Sequence, residues 1–261
     1  MRLKPKKRLG QNFLFDQNIQ KKIIAACDFS SQDIILEIGP GGGELTREIV
    51  SRVKKVYAIE LDRNLYAQLK DDFQGEEKIK LFNLDILKFD LNQELKQAKG
   101  KIKIVGNIPY YISTPIIEYI IKFKDAIDCV FLTVQKEFAR RIIALGGSKE
   151  FGSLSCFVQY YLKPEILFEI KKGSFFPVPK VDSSFLKLKV LMEPAVKVKD
   201  EERFFKIVRA AFNQRRKTLR NSLSGIVPGK NLERFFADSQ IDKNIRPQDL
   251  SLEEFAYLSN S

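Results

Sequence analysis

A β-rich run, a glycine turn and a helix start follow one another in Ile34-Ile35-Leu36-Glu37-Ile38-Gly39-Pro40-Gly41-Gly42-Gly43-Glu44-Leu45-Thr46. Glycines let the backbone pass close to a ligand and into a helix N-terminus, so the turn is a candidate nucleotide site. A G-x-G-x-x-G dinucleotide turn would need glycine at position 44, which is Glu44. The spacing is instead Glu37-x-Gly39-x-Gly41-x-Gly43. Acids end the next two β-rich runs. Glu60 closes Val56-Tyr57-Ala58-Ile59-Glu60, where a carboxylate can accept from both hydroxyls of a ribose. Asp85, in Asn83-Leu84-Asp85, follows the third run, where an acid can accept from an adenine amine. The three features share the carboxyl edge on which open α/β sheets bind ligands.

A fourth run leads into Gly106-Asn107-Ile108-Pro109-Tyr110. These residues resemble the N-[IL]-P-Y motif of enzymes that methylate the N6 amine of adenine. The glycine spacing resembles the first motif of S-adenosylmethionine-dependent methyltransferases. The physical need is an acceptor pair: the amine is a poor nucleophile because its lone pair is delocalised into the ring. Acceptors on its two hydrogens favour a tetrahedral nitrogen. The Asn107 side-chain oxygen can take one hydrogen, and the Ile108 carbonyl, held by the Pro109 ring, the other. Tyr110 offers a π-face to the base, worth ~1–3 kcal/mol. Phe175, in the rigid stretch Phe175-Phe176-Pro177-Val178-Pro179-Lys180-Val181-Asp182-Ser183, is the candidate for the opposite face, with Phe176 as the alternative. The chain has no histidine, which excludes imidazole bases and His-ligated zinc. Methyl transfer from a sulfonium needs alignment and desolvation more than a base. No metal is expected.

The elements that must position these groups are legible as alternation. Seven β-rich runs occur at Ile34–Glu37, Lys55–Ile59, Ile79–Phe82, Ile102–Val105, Val130–Val134, Glu165–Ile170 and Ser184–Val190. Helical patterns separate the first five and also cover Gln17–Cys27 and Phe151–Leu162. The pattern predicts an α/β fold: a Rossmann-like, doubly wound, seven-stranded methyltransferase sheet with a small all-helical C-terminal domain. Composition shifts near Met192-Glu193-Pro194, giving a methyltransferase domain over 1–191 and a helical RNA-binding domain over 195–261. The Gly146–Gly152 stretch reads as a connecting loop, with a flap beside the site as the alternative.

The net charge is +12, and two segments account for it. Residues 1–22 hold seven Lys/Arg against one Asp, and residues 197–223 nine against three acids. Such clustering marks an electrostatic footprint suited to nucleic acid. The candidate phosphate contacts are Lys6, Lys7, Arg8, Arg209, Arg216 and Arg220. On a helical wheel Arg209, Arg216 and Arg220 fall within ~40° of one another. Arg215 would fall on the apolar stripe of Phe204, Val208, Ala211 and Phe212, which predicts a break near Asn213-Gln214. No run approaches the ~20 apolar residues of a membrane span, and no apolar stretch follows the basic N-terminus. The three cysteines, Cys27, Cys129 and Cys156, form no pairing pattern. A cytoplasmic protein is expected, with neither membrane nor DNA as partner and a monomer as the default.

Nearly end to end, the sequence resembles the bacterial small-subunit rRNA adenine N6-dimethyltransferases. The resemblance is carried by Lys7-Arg8-Leu9-Gly10-Gln11-Asn12-Phe13-Leu14, Asn107–Pro115, Gln135-Lys136-Glu137, Phe175–Ser183 and Phe212–Asn221. It implies dimethylation of two adjacent adenosines in the 3′-terminal hairpin loop of small-subunit (16S) rRNA, on the assembling 30S subunit. It also implies that Asn12, Leu14, Gly39, Gly41, Glu60, Asp85 and Asn107 hold S-adenosylmethionine, with the N-terminal segment folded over the cofactor. The alternatives are a large-subunit rRNA adenine methyltransferase of the erythromycin-resistance type, or an assembly factor that binds RNA without catalysis. An NAD oxidoreductase is disfavoured by Glu44.

Overall fold

The computed structural model describes residues 5–94, 100–214 and 216–261. Its strands are β1 (Phe13–Leu14), β2 (Ile34–Ile38), β3 (Lys55–Ile59), β4 (Ile79–Phe82), β5 (Ile102–Asn107), β6 (Ile127–Gln135), β7 (Leu162–Ile170), β8 (Phe175–Phe176) and β9 (Ser183–Val190). The helices are α1 (Gln17–Cys27), α2 (Glu44–Val50), α3 (Arg63–Asp72), α4 (Leu91–Glu94), α5 (Ser113–Lys122), α6 (Lys136–Ile143), α7 (Ser153–Tyr161), α8 (Glu201–Asn213), α9 (Leu219–Ser222), α10 (Gly229–Ser239) and α11 (Leu252–Asn260).

Seven strands form one sheet in the order β4-β3-β2-β5-β6-β9-β7. The pairs from β4 across to β6 are parallel, and β9 runs antiparallel to β6. The β2 and β3 runs are rich in β-branched and other apolar residues, and four of five positions in each are buried, the signature of a sheet covered on both faces. The chain winds from β2 towards β4, then returns to lay β5 on the other side of β2. That reversal opens a crevice at the carboxyl ends of β2 and β5, where Ile38 is paired with Gly106. Asp16 caps α1 by accepting from the N–H groups of Asn18 and Ile19. That helix buries Ile23, Ile24 and Cys27 in the same core as Ile35, Val56, Phe131 and Phe185.

The chain divides into two compact units, Met1–Ala139 with Glu165–Val190, and Arg140–Pro164 with Leu191–Ser261. The expected boundary near Met192 falls at one of the crossings. A single cut misses the other part of the division: residues 140–164 belong with the C-terminal helices, and α6 and β7 each run from one unit into the other. The cause is packing, because Phe151, Cys156 and Tyr160 share a buried cluster with Phe204, Phe212, Phe235 and Phe255. The Gly146–Gly152 loop is anchored inside this second unit. Gly147 N–H donates to Gln248 O at 2.8 Å, and a Cβ at Gly146 would lie 2.5 Å from Leu250 O. It is a packed connection and not a free flap.

The break predicted after Phe212 is present: α8 ends at Asn213, with Gln214 at φ −129°. Arg216 and Arg220 therefore do not continue the wheel of Arg209, which corrects the single-stripe picture. Arg215 lies outside the described residues. No helix of the described residues is long and apolar enough to cross a membrane. The three cysteines are buried and unpaired.

Candidate active site

The crevice is built from the glycine turn outward. Gly39 and Gly41 sit at φ +68° and +61°, a region costly for residues with a Cβ. At Gly41 a Cβ would also press on the Phe13 ring at 3.2 Å. The turn therefore lies directly against the N-terminal segment. Gly39 N–H donates to Ile59 O at 2.9 Å, which ties the turn to the end of β3.

Glu60 stands next to that turn and is 5% exposed. Its Oε2 accepts from Gly41 N–H at 3.1 Å and its Oε1 from Asp62 N–H at 2.8 Å. Each oxygen keeps a free lone pair, so the carboxylate can still accept from a diol. Burial raises its pKa, and the backbone hydrogen bonds pull against that rise. Asn83 Nδ2 donates to Glu60 O at 2.8 Å, which joins the end of β4 to that of β3. Asp85 accepts from Leu87 N–H through Oδ1 at 3.0 Å, which fixes the carboxylate at the crevice edge.

These groups border a cleft lined by Gly39, Glu60, Asp85, Asn107, Asn12 and Phe13, among others. A smaller cavity shares Phe13, Gly39, Gly41 and Asn107 with the cleft and adds Leu14, Glu37 and Glu44. Glu37 is 2% exposed, and its Oε2 has no hydrogen-bond partner among the described residues. Burial pushes the Glu37 carboxyl up to about 7; the Thr46 hydroxyl pulls against that rise, and the charges of Glu44 and Glu60 add to it. Thr46 Oγ1, beside Glu37, is likewise buried without a partner among the described residues, so the two groups leave polar capacity unused at the edge of the cavity. S-adenosylmethionine carries a ribose diol, an adenine amine and an ammonium, and Glu60, Asp85 and Glu37 could hold them.

Asn107, at the end of β5, borders both cavities. Its Nδ2 donates to Asn12 O at 2.9 Å, so the amide is oriented and its Oδ1 is the end left to accept. Tyr110 shares a 2.7 Å hydrogen bond between its hydroxyl and Ser183 Oγ. Burial raises the phenol's pKa, so the ring is held as a neutral surface.

The N-terminal segment is fastened over the cleft by groups that sequence reading assigned elsewhere or missed. Lys6 Nζ lies 2.6 Å from Asp62 Oδ1, and Gln11 Nε2 donates to Asp62 Oδ2 at 3.3 Å. Burial raises the Asp62 carboxyl, but Lys6, Asn64 N–H and Gln11 outweigh it and hold it below the ordinary range. Lys6 is thus an internal strut and not a free phosphate contact, whereas Lys7 and Arg8 are exposed. The sequence signal for Asp62 was its place at the cap of α3. Phe13 and Tyr111 also line the cleft; both lie in motifs that carry the resemblance, but nothing in those motifs singled them out as site residues.

Phe175 must be corrected. It is 1% exposed within the core cluster of Ile23 and Phe131, so it cannot wall an open cleft. The short ribbon of β1 and β8 explains why: Leu14 is paired with Phe175 on the core face, and Phe13 with Phe176 on the other. Arg220 is likewise not free, since it pairs with Glu233 at 2.9 Å, and Glu233 also holds Lys243 at 2.6 Å. Arg209 and Arg216 are exposed.

A glycine turn at a sheet reversal, acids ending the neighbouring strands and an oriented amide opposite them define an S-adenosylmethionine-dependent methyltransferase. The family model described as ribosomal RNA adenine dimethylase matches residues 2–261, and the chain belongs to that family. A ribosomal RNA small subunit methyltransferase A of Clostridium botulinum is 44% identical over 255 residues, covering 97% of this chain and 92% of the relative. The one from Caldanaerobacter subterraneus is 43% identical over 263 residues, covering 99% and 97%. Among solved structures, a dimethyladenosine transferase from Plasmodium falciparum superposes with a TM-score of 0.75 at 26% identity, covering 94% of this chain and 95% of that one. The 23S rRNA methyltransferase ErmE gives 0.76 at 25% identity, covering 95% and 98%.

Proposed function

We propose that the chain transfers methyl groups from S-adenosylmethionine to the N6 amines of two adjacent adenosines in the 3′-terminal hairpin loop of small-subunit rRNA, on the assembling subunit. The relatives named for the small subunit are 41–44% identical, against 25% for the 23S enzyme, which favours the small-subunit substrate over the erythromycin-resistance reading. A hairpin loop presents bases that leave the stack for a few kcal/mol.

The observation that carries the reading is the Asn107 amide, pinned through Nδ2 to Asn12 O at the junction of both cavities. S-adenosylmethionine supplies an electrophilic methyl group on a sulfonium when bound. Glu60, Asp85 and Glu37 hold its polar ends, with Gly39, Gly41, Asn12 and Leu14 closing around it. Asn107 Oδ1 and the Ile108 carbonyl take the two hydrogens of the target amine and stabilise the positive charge that grows on nitrogen. Tyr110 supports one face of the base. Phe176, 54% exposed and opposite the cleft-lining Phe13, takes the role expected of Phe175 on the other. The surplus proton leaves to water. Lys7 and Arg8 in one unit, and Arg209 and Arg216 in the other, supply phosphate contacts.

The test is transfer of tritiated methyl groups to small-subunit particles lacking the modification, with large-subunit RNA alongside. Label in the small subunit alone is expected. Asn107→Ala should lower the rate on the order of 100- to 1,000-fold, as loss of one oriented charge-stabilising group does elsewhere, with cofactor binding still measurable. Near-parental transfer by that variant, or label confined to the large subunit, would overturn the reading.

A further inference from the structure

The ribbon of β1 and β8 has one face in the core and one outside. The outer face carries Phe13 and Phe176, which are cross-strand partners, and Phe15, two residues beyond Phe13 on the same side. Phe15 N–H donates to Ser174 O at 3.1 Å, which continues the ribbon. Phe15 is 59% exposed and Phe176 54%, and Val178 and Val181, which follow β8 in the chain, are exposed as well. A cluster of exposed apolar side chains beside a cleft marks a binding surface. The charge around it is mixed, with lysines in slight excess over Asp16, which accepts from Ser174 Oγ at 3.1 Å, and Asp182, which accepts from Lys172 N–H at 3.0 Å. Lys171 is engaged with Asp182 at 3.0 Å, but Lys172 and Lys180 are exposed and have no carboxylate partner among the described residues. Lys172 lies two residues from Ser174, the residue bonded to Phe15. Aromatic faces interleaved with free lysines fit single-stranded nucleic acid, whose bases stack while its phosphates seek cations.

We propose that this face is a second base-stacking site, in which Phe15 takes the base of a nucleotide next to the target adenosine and Lys172 its phosphate. The proposal rests on the reading of the cleft as an RNA adenosine site. Phe15 lies diagonally across the ribbon from Phe176, where side chains stand ~7–8 Å apart. The two rings therefore serve neighbouring bases and not one. Phe13 makes the surface continuous with the cleft.

The test uses an RNA hairpin with 2-aminopurine placed on either side of the target adenosine. Binding to the parental chain should quench one flanking position. Phe15→Ala should abolish that quench and weaken hairpin binding about 5- to 150-fold, with cofactor affinity unchanged. Phe15→Tyr should restore both signals, and Phe15→Leu, apolar but unable to stack, should behave like the alanine variant. Leucine matching the parent, or the alanine variant binding normally, overturns the platform. So does loss of binding to anionic lipid vesicles, with hairpin binding intact, in the alanine variant. Parental methyl transfer measured alongside separates the two readings. Transfer intact with unchanged Phe15→Ala binding removes the platform alone, and absent parental transfer removes the active-site reading and the platform with it.

Discussion

At the scale of residues, the cleft is bordered by acids that have accepting capacity to spare. Glu60 has spare lone pairs, Asp85 uses one oxygen on its own turn, and Glu37 has an oxygen with no described partner. Glu37 gives this a pH signature. With its carboxyl raised to about 7, the folded, ligand-free protein favours the protonated form. The stability this confers is complete below the unfolded value and is lost as pH rises through about 7, by on the order of 3 kcal/mol. Thermal melting of the free protein should therefore fall between about pH 5 and 8, and Glu37→Gln should flatten that fall. A bound ammonium reverses the preference. Cofactor binding near pH 6 should release about one proton, and the release should shrink as pH rises through about 7. Calorimetry in buffers of different ionisation heat reads this directly, and equal heats at pH 6 would remove Glu37 from the ammonium site.

At the scale of elements, strand ends and caps do the positioning, and this is where sequence and structure compare most usefully. The helix Gln17–Cys27 and the strands Lys55–Ile59 and Ile79–Phe82 were legible to the residue, because long apolar periodicity and a capping Asp16 decide them locally. The acids at the strand ends were legible for the same reason. The ribbon of β1 and β8 was not, since two-residue strands have no period to read, and its pairing joins residues more than 150 positions apart. That omission misplaced Phe175, whose burial follows from register. Lys6 was misread because a lysine in a basic run carries no mark that a buried Asp62 waits for it. The strut it forms predicts that Lys6→Met loosens the N-terminal segment. Removing one partner of a wholly buried pair costs ~3–5 kcal/mol, and Lys6 is about a third exposed, so a smaller loss is expected. Cofactor affinity should fall roughly 5- to 30-fold, equivalent to ~1–2 kcal/mol, with proteolysis of the N-terminus accelerated. Unchanged affinity would show that the strut holds nothing the cofactor needs.

At the scale of the whole molecule, the excess positive charge is divided between two folding units. Lys7 and Arg8 belong to the sheet unit, whereas Arg209 and Arg216 belong to the helical one, whose own core of Phe204, Phe235 and Phe255 lets it present them independently. If both clusters meet phosphates of one RNA, each neutralised phosphate contributes roughly 0.7 to the slope of log affinity against log salt for single-stranded regions, and somewhat more for duplex. Replacing Lys7 and Arg8 by glutamine should lower the slope by roughly 1.4, and the same change at Arg209 and Arg216 by a similar amount. The sites share no partner, so the quadruple variant should lose the sum. Arg220→Gln should change the slope least, because its charge is already met by Glu233. The measurement is hairpin or subunit binding titrated across salt for the parent and these variants. A slope that responds to one cluster and not the other would confine the RNA to one unit. A slope that responds to neither would separate the charge of this chain from its substrate altogether.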